Sequence, residues 1–278
     1  DYYASRGLGD VYKRQISEIG EDQNTEVENK DNSQFIDMSL AKDIEAYFQE
    51  NGIDHEKVAY CITDLEHNIK YSMNEKDEFI AASIYKLPLA MLYYDKVNEG
   101  EYTLDSTFTY SGYMHEDAGV ISSDYGIGSQ VPLSDLLNDL IIYSDNDAGH
   151  ILYENLGGWK EYKEAMTKYT DTISENYYTM DNVTTANTMN DVVTYLYDHK
   201  EDYKGLIKNM EEAEPGEYLD RDTQLSMPQK YGMYDSALNS VGFVECNTSY
   251  SIVVLTSLGD KGADVMANIN RIAYEHFK

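Results

Sequence analysis

The chain is poor in basic residues and has no long apolar run. It carries 21 lysines and arginines against 51 aspartates and glutamates, a formal net charge of −30 at pH 7. No basic surface is available to displace counterions from phosphates, so we expect no nucleic-acid partner and no docking on anionic lipid. No stretch approaches the roughly 20 apolar residues of a membrane-spanning helix, so we predict no transmembrane segment.

Cysteine is also scarce. The two cysteines, Cys61 and Cys246, each lie in an apolar, strand-like run. Neither belongs to a CxxC pair, which argues against a redox or zinc site, and their spacing neither requires nor excludes a disulfide between them. The six histidines show no spacing typical of metal ligands. We therefore predict no metal.

The first 38 residues do not show the pattern of a folded domain. Residues 1–15 follow no helix or strand period and resemble a translated cloning adapter, so they are excluded from the fold prediction. We expect that the natural N-terminus, with any signal peptide or lipid anchor, is missing. Residues 16–38 are polar and acidic, which predicts a disordered tether. The folded domain is predicted to span residues 39–278.

Within that domain, apolar residues at helical spacing predict helices at both ends and through the middle. Alternating and apolar runs predict strands near residues 57–73 and 240–257. Strands at both ends with helices between them indicate an α+β or three-layer arrangement. The sheet part is expected from about 39–82 and 220–278, and the helical part from about 83–219. A ligand cleft is expected where the two parts meet.

The first of three short motifs is Ser83-Ile-Tyr-Lys86. Residues three apart on a helix share a face, so the hydroxyl and the amine can approach each other. A serine becomes a nucleophile when a neighbouring base takes its proton, and burial lowers the pKa of a lysine toward that role. The spacing alone is weak evidence, because Ser39 and Lys42 share it and are interpreted as helix capping.

The second motif, Ser144-Asp145-Asn146, lies between two predicted helices. Aspartate and asparagine are common helix caps, and Asp145 is interpreted as holding the turn. In a functional interpretation, the Ser144 hydroxyl passes a proton to the leaving group. The Asn146 side chain binds an amide of the substrate.

The third motif, Lys230-Tyr231-Gly232, lies in a strand pattern. Lys230 is expected to sustain the electrostatics around the second serine and to attract a carboxylate. Gly232 lets a substrate backbone lie close to the strand, and the N–H of Met233 is expected to donate to an oxyanion together with that of Ser83.

In this order, the motifs resemble those of the class A β-lactamase and penicillin-binding-protein superfamily of serine hydrolases, whose set is SxxK, SDN and KTG. The similarity includes residues 78–90 (EFIAASIYKLPLA) and 144–158 (SDNDAGHILYENLGG) and spans roughly residues 39–278. It implies an α/β/α sandwich with an antiparallel sheet plus an all-helical part, outside the cytoplasm and without a cofactor. By position, it implies the following roles: Ser83 as acylated nucleophile, Lys86 as base, Ser144 as proton shuttle, Asn146 as amide ligand and Lys230 as cation.

Two departures from the family pattern matter. Tyr231 stands where the family usually has threonine or serine, the short hydroxyl that holds a β-lactam carboxylate. No ExxLN-like segment follows the second motif, although true β-lactamases carry there the glutamate that activates the deacylating water. Glu175 is the nearest candidate, with Asp171 and Asp181 behind it.

The sequence thus predicts a monomeric serine hydrolase that forms an acyl-enzyme at Ser83. Its expected partners are β-lactams or D-Ala-D-Ala-like cell-wall peptides. The alternative is a module that binds the same ligands with little or no hydrolysis.

Overall fold

The computed structural model describes residues 38–112, 119–223 and 225–278. The two predictions for the N-terminal region, an adapter remnant over residues 1–15 and a tether over residues 16–38, lie outside the described residues apart from Met38.

Helices form where apolar residues recur on one face. In chain order they are α1 (Ser39–Asn51), α2 (Lys86–Asn98), α3 (Val120–Asp124), α4 (Leu133–Ile142), α5 (Asn146–Asn155), α6 (Trp159–Met166), α7 (Ala186–Asp198), α8 (Lys204–Glu211) and α9 (Lys261–Phe277). A 3₁₀ turn, Ala82–Tyr85, leads directly into α2.

The strands are β1 (Val58–Asp64), β2 (Ile69–Met73), β3 (Phe79–Ile80), β4 (Thr107–Thr109), β5 (Gln130–Pro132), β6 (Val183–Thr184), β7 (Gln229–Tyr234), β8 (Ala237–Val244) and β9 (Tyr250–Thr256). Five of them form one antiparallel sheet in the order β2-β1-β9-β8-β7. The short strands pair as β3 with β6 and β4 with β5.

Both faces of the sheet are covered, because successive side chains of a strand point to opposite sides. From β1, Tyr60 and Ile62 pack with α1 and α9, whereas Ala59 and Cys61 pack into the larger core with α2 and α4–α8. Strands β8 and β9 are buried along their whole length for the same reason. The predicted α+β fold with an antiparallel sheet, helices on its two faces and an additional helical part is confirmed.

Two local predictions differ from the structure. The helix predicted to begin at Ser83 starts as a 3₁₀ turn and becomes α-helical only at Lys86. Ser39 begins α1 but does not cap it: Met38 holds the capping position, and the Ser39 hydroxyl hydrogen-bonds His276 Nδ1 at 3.3 Å. The Ser39 hydroxyl, which the local pattern assigns to capping α1, therefore bonds to α9 instead, where the two helices pack together.

Cys61 and Cys246 are both free thiols. Cys61 is buried in the larger core, and burial raises its pKa to about 12. Cys246 packs beside the core on the opposite face of the sheet. Among the helices in the part of the chain that the structure describes, none is long and apolar enough to cross a bilayer.

Candidate active site

The turn that carries Ser83 has a strained backbone. Ala82, the residue before it, has a φ of 50°, in the left-handed region that a Cβ disfavours. Such a conformation persists only where the surroundings determine it, and it is frequent at functional sites. Ser83 itself is partly exposed, and its turn lies beside β7, the edge strand of the sheet.

Two asparagines hold this turn from opposite sides. The amide of Asn182 donates to the Ala82 carbonyl at 2.8 Å, and its main-chain carbonyl accepts from the Ala81 N–H at 2.8 Å. From β8, the fully buried Asn239 donates to the carbonyls of Ile80 at 2.8 Å and Ala81 at 3.1 Å. The left-handed Ala82 is thus fixed by side chains distant in sequence.

Gly232 on β7 lies directly against the same turn. A Cβ at this position would lie 2.6 Å from the Ser83 nitrogen and 2.8 Å from the Ile84 nitrogen. Backbone atoms cannot move aside as the end of a flexible side chain can. The sequence predicts a glycine here for the approach of a substrate, and the structure adds a second reason, the close packing of β7 on the turn that carries Ser83.

Lys86 joins the first motif to the second. Its side chain is fully buried, and its ammonium donates to the Ser144 carbonyl, to Asn146 Oδ1 at 2.6 Å and to Ser144 Oγ at 3.3 Å. Gly149 on α5 leaves room for this contact, because a Cβ there would lie 2.7 Å from Tyr85 Oη and 3.5 Å from Lys86 Cε.

The second motif forms a strained junction between α4 and α5. Ser144 has a φ of 56°, again in the left-handed region. Asp145 caps α5 by accepting from the Ala148 N–H at 2.8 Å, and its other oxygen accepts from the Val120 N–H at 2.7 Å and the Ile121 N–H at 3.1 Å. Asp145 therefore holds the turn, which agrees with its interpretation from sequence.

Lys230 supplies a second buried cation. Its side chain is fully buried, and Nζ donates to the Tyr231 carbonyl at 2.9 Å. Burial holds the pKa of Lys230 well below its usual value, the charge of Lys86 lowers it further, and Glu214 opposes both effects. Burial and the nearby charge of Lys86 therefore favour the neutral form of Lys230.

Two further residues of β7, Tyr231 and Met233, lie at the outer edge of the site. The ring of Tyr231 stacks on Tyr218 with centroids 4.8 Å apart, and burial followed by the charge of Glu214 raises its pKa to about 12. Met233 is exposed. The side chain at the position where the family has a short hydroxyl is therefore committed to an aromatic stack.

The loop over residues 170–185 contains the three carboxylates considered for deacylation. Glu175, Asp171 and Asp181 are all exposed. Hydrogen bonds from this loop to the turn that carries Ser83 come from Asn182, through its amide and its carbonyl, and residues 183–184 of the loop pair with residues 79–80 just before that turn. Glu175 stays a prediction that its position on the loop does not strengthen.

Asn182 and Asn239 were not predicted from the sequence, because neither belongs to a motif. Both are distant from the turn along the chain: Asn182 is 100 positions from Ala82, and Asn239 is 159 positions from Ile80. The signal that could have found Asn239 is an amide at an inward position of an otherwise buried strand, where a polar group needs partners.

A helix-covered antiparallel sheet with a serine–lysine turn beside its edge strand matches the β-lactamase/transpeptidase-like fold. The profile of the beta-lactamase enzyme family matches residues 39–277, and the chain belongs to this family. No curated protein matches the chain.

Solved structures with the same fold include a β-lactamase from Chitinophaga pinensis DSM 2588, at 21% identity and a TM-score of 0.72, covering 86% of this chain and 100% of that one. TLA-3 extended-spectrum β-lactamase has 20% identity, a TM-score of 0.73 and coverages of 86% and 98%. A mutant of PBP-A, in an acyl-enzyme complex with penicillin G, has 16% identity, a TM-score of 0.72 and coverages of 86% and 96%.

Proposed function

We propose that the chain is a serine hydrolase that forms an acyl-enzyme at Ser83 with β-lactams or with D-Ala-D-Ala-like cell-wall peptides. The observation that carries the proposal is the bonding of Lys86 to Ser144 and Asn146, since it brings two motifs 60 positions apart into one buried network. Family membership supports hydrolysis as the reaction class.

In this proposal, the two buried lysines share one positive charge. When Lys230 carries that charge, the neutral amine of Lys86 takes the proton of the Ser83 hydroxyl as Oγ attacks the carbonyl carbon. The N–H groups of Ser83 and Met233 donate to the oxyanion that forms. Ser144 Oγ, within 3.3 Å of Lys86 Nζ, passes the proton to the leaving nitrogen, and Lys230 keeps that proton transfer favourable through its positive field. Asn146 binds the amide of the substrate side chain.

The sites of action that go with this function are also proposals. Cell-wall peptides and β-lactams are met outside the cytoplasm, so we propose an extracytoplasmic protein. We also propose that it acts as a monomer and uses no cofactor.

One observation favours a second candidate, a penicillin-binding protein with very slow turnover. The loop over residues 170–185 contacts the nucleophile turn through the amide of Asn182. An amide cannot take a proton from water at neutral pH, so the acyl-serine ester would persist unless another group activates water.

Mass spectrometry after mixing with a labelled penicillin tests the proposal. We expect one adduct on Ser83 in the wild type and none in Ser83→Ala. The absence of a wild-type adduct, or its survival in Ser83→Ala, would contradict acylation at this residue.

The time course separates the two candidates. A transient adduct with turnover of a chromogenic β-lactam above background indicates a hydrolase. An adduct that lasts for hours without turnover indicates the binding module.

A further inference from the structure

Lys163, on α6, is a buried cation that the proposed chemistry does not use. Only 3% of its surface is exposed. Its ammonium donates to three main-chain carbonyls, those of Tyr177 at 2.6 Å, Thr179 at 2.9 Å and Asp181 at 2.6 Å. All three protons of the ammonium are thereby directed at one short segment, which we call the clamped segment (residues 177–181).

Aromatic rings complete the surroundings of this ammonium. Nζ lies 5.2 Å from the ring centroid of Trp159 and 5.1 Å from that of Tyr177, within the range of cation–π attraction. The Tyr177 hydroxyl donates back to the Lys163 carbonyl at 3.3 Å. Burial lowers the pKa of Lys163, and the charge of Asp181 opposes that shift. A buried charge with three charge-assisted bonds is costly to remove, so it holds the segment tightly.

The clamped segment is followed directly by the residue that contacts the turn carrying Ser83. Asn182, the next residue, bonds to both Ala81 and Ala82, and residues 183–184 pair as β6 with β3. A continuous series of bonds therefore runs from the ammonium through residues 177–182 to the strained peptide before Ser83.

We propose that Lys163 and Asn182 are positioning residues for Ser83: the ammonium fixes the loop, and the loop fixes the left-handed Ala82 that presents the nucleophile. The inference rests on the proposed role of Ser83. Without these bonds, Ala82 relaxes toward an ordinary φ, and the hydroxyl and N–H of Ser83 turn away from their attack geometry. A misplacement of about 1 Å can cost on the order of a hundredfold in rate.

The variants for the test are Lys163→Met and Asn182→Ala. Methionine keeps most of the length of the lysine and removes its three donors, and Asn182→Ala leaves the ammonium and its three carbonyls in place. The matched control is Lys160→Met, since Lys160 lies on the same helix but is exposed and pairs only with Glu164, at 3.5 Å.

The first measurement is hydrogen–deuterium exchange, which does not depend on activity. We expect faster exchange in peptides covering residues 79–84 and 170–185 in Lys163→Met, and wild-type exchange in Lys160→Met. Equal exchange of residues 79–84 in the two variants would overturn the inference, whether or not the wild type is acylated. Failure of the wild type to form a Ser83 adduct would instead overturn the proposed function.

The second measurement is the rate of acylation by a fluorescent penicillin at saturating concentration. We expect losses of about 10- to 100-fold in Lys163→Met and Asn182→Ala, with the half-saturating concentration within about twofold of wild type. The double variant should lose no more acylation rate than the single variant with the larger loss, because both substitutions break the same series of bonds. A lower melting temperature with an unchanged acylation rate would show a merely structural role and contradict the inference.

Discussion

Single residues set the geometry around Ser83, and Gly232 does so with the least tolerance. Its Cα faces the nitrogens of Ser83 and Ile84, and a side chain there meets backbone on the strained turn. The fold therefore requires a glycine at position 232, whatever its part in substrate access.

We predict that Gly232→Ala slows acylation at least tenfold and lowers the free energy of unfolding by about 1–3 kcal/mol, since the Cβ pushes β7 away from the turn. Thermal unfolding and the labelled-penicillin assay measure the two effects. Gly126→Ala is the control, because its Cβ would meet only Ser129 Oγ, at an ordinary 3.9 Å. Equal behaviour of the two variants would contradict the proposed crowding.

Asp139, a buried residue on α4, gives a prediction for pH. Burial, followed by the charges of Asp145, Asp135 and Asp124, raises its pKa to about 7. The folded protein therefore keeps a proton that the unfolded chain releases near pH 4, so this group costs stability increasingly as the pH rises from about 4 to about 7.

Asp139→Asn removes that cost. We expect a gain on the order of 1–3 kcal/mol in the free energy of unfolding at pH 8 and no gain at pH 4, measured by urea denaturation. The exposed Asp105→Asn serves as control and should change little at either pH. A destabilised Asp139→Asn at pH 8 would show that the carboxylate is needed where it lies.

At the scale of elements, the turn that carries Ser83 depends on strand β8 as much as on the helix α2 that follows it. Asn239 uses its amide on two carbonyls of the turn, and its oxygen accepts from the Thr256 N–H at 3.0 Å on β9. The central strands of the sheet thereby determine where α2 begins.

We predict that Asn239→Ala costs about 1–3 kcal/mol of stability, because it leaves buried backbone groups without partners. Acylation should slow as well, since the turn loses its support from the sheet. Chemical denaturation and the acylation assay report the two effects. Asn268→Ala removes an amide that donates to the Asp264 carbonyl in a solvent-exposed hydrogen bond within α9, and it should leave both values near wild type. Loss of stability without any loss of acylation would confine Asn239 to the fold.

At the scale of the whole molecule, the net charge of −30 works against the folded state, because like charges are closer together in a compact chain. Exposed pairs such as Lys204 with Glu201 and Lys208 with Glu212 offset little of this, since surface ion pairs are weak. Salt should therefore remove more repulsion than attraction.

We predict that the melting temperature rises as NaCl increases from about 0.01 M to about 1 M, while the Debye length falls from about 30 Å to about 3 Å. KCl should give the same curve, because screening depends on ionic strength. A rise confined to one salt would indicate binding of a specific ion, and a fall would show that attractive pairs dominate.

Much of the architecture could be predicted from periodic pattern. In the helix α9 and the strands β1 and β9, the spacing of the apolar residues predicts the conformation that the structure shows. The β3–β6 pairing could not, because two-residue strands leave no period to recognise. Nor could the buried Lys163, since a lysine on a surface-like helix pattern predicts solvent exposure and only the folded loop supplies its three carbonyls.

The sequence by itself determined the family and predicts the reactive side chains, because the three motifs and their order are local and readable. Only the tertiary structure decided what holds them in place. Asn239, Asn182 and Lys163 act through hydrogen bonds to backbone groups, many across long separations such as the 159 positions between Asn239 and Ile80. Every residue has the same backbone carbonyl, so the pattern of side chains does not predict which carbonyl will accept a hydrogen bond from a distant amide or ammonium.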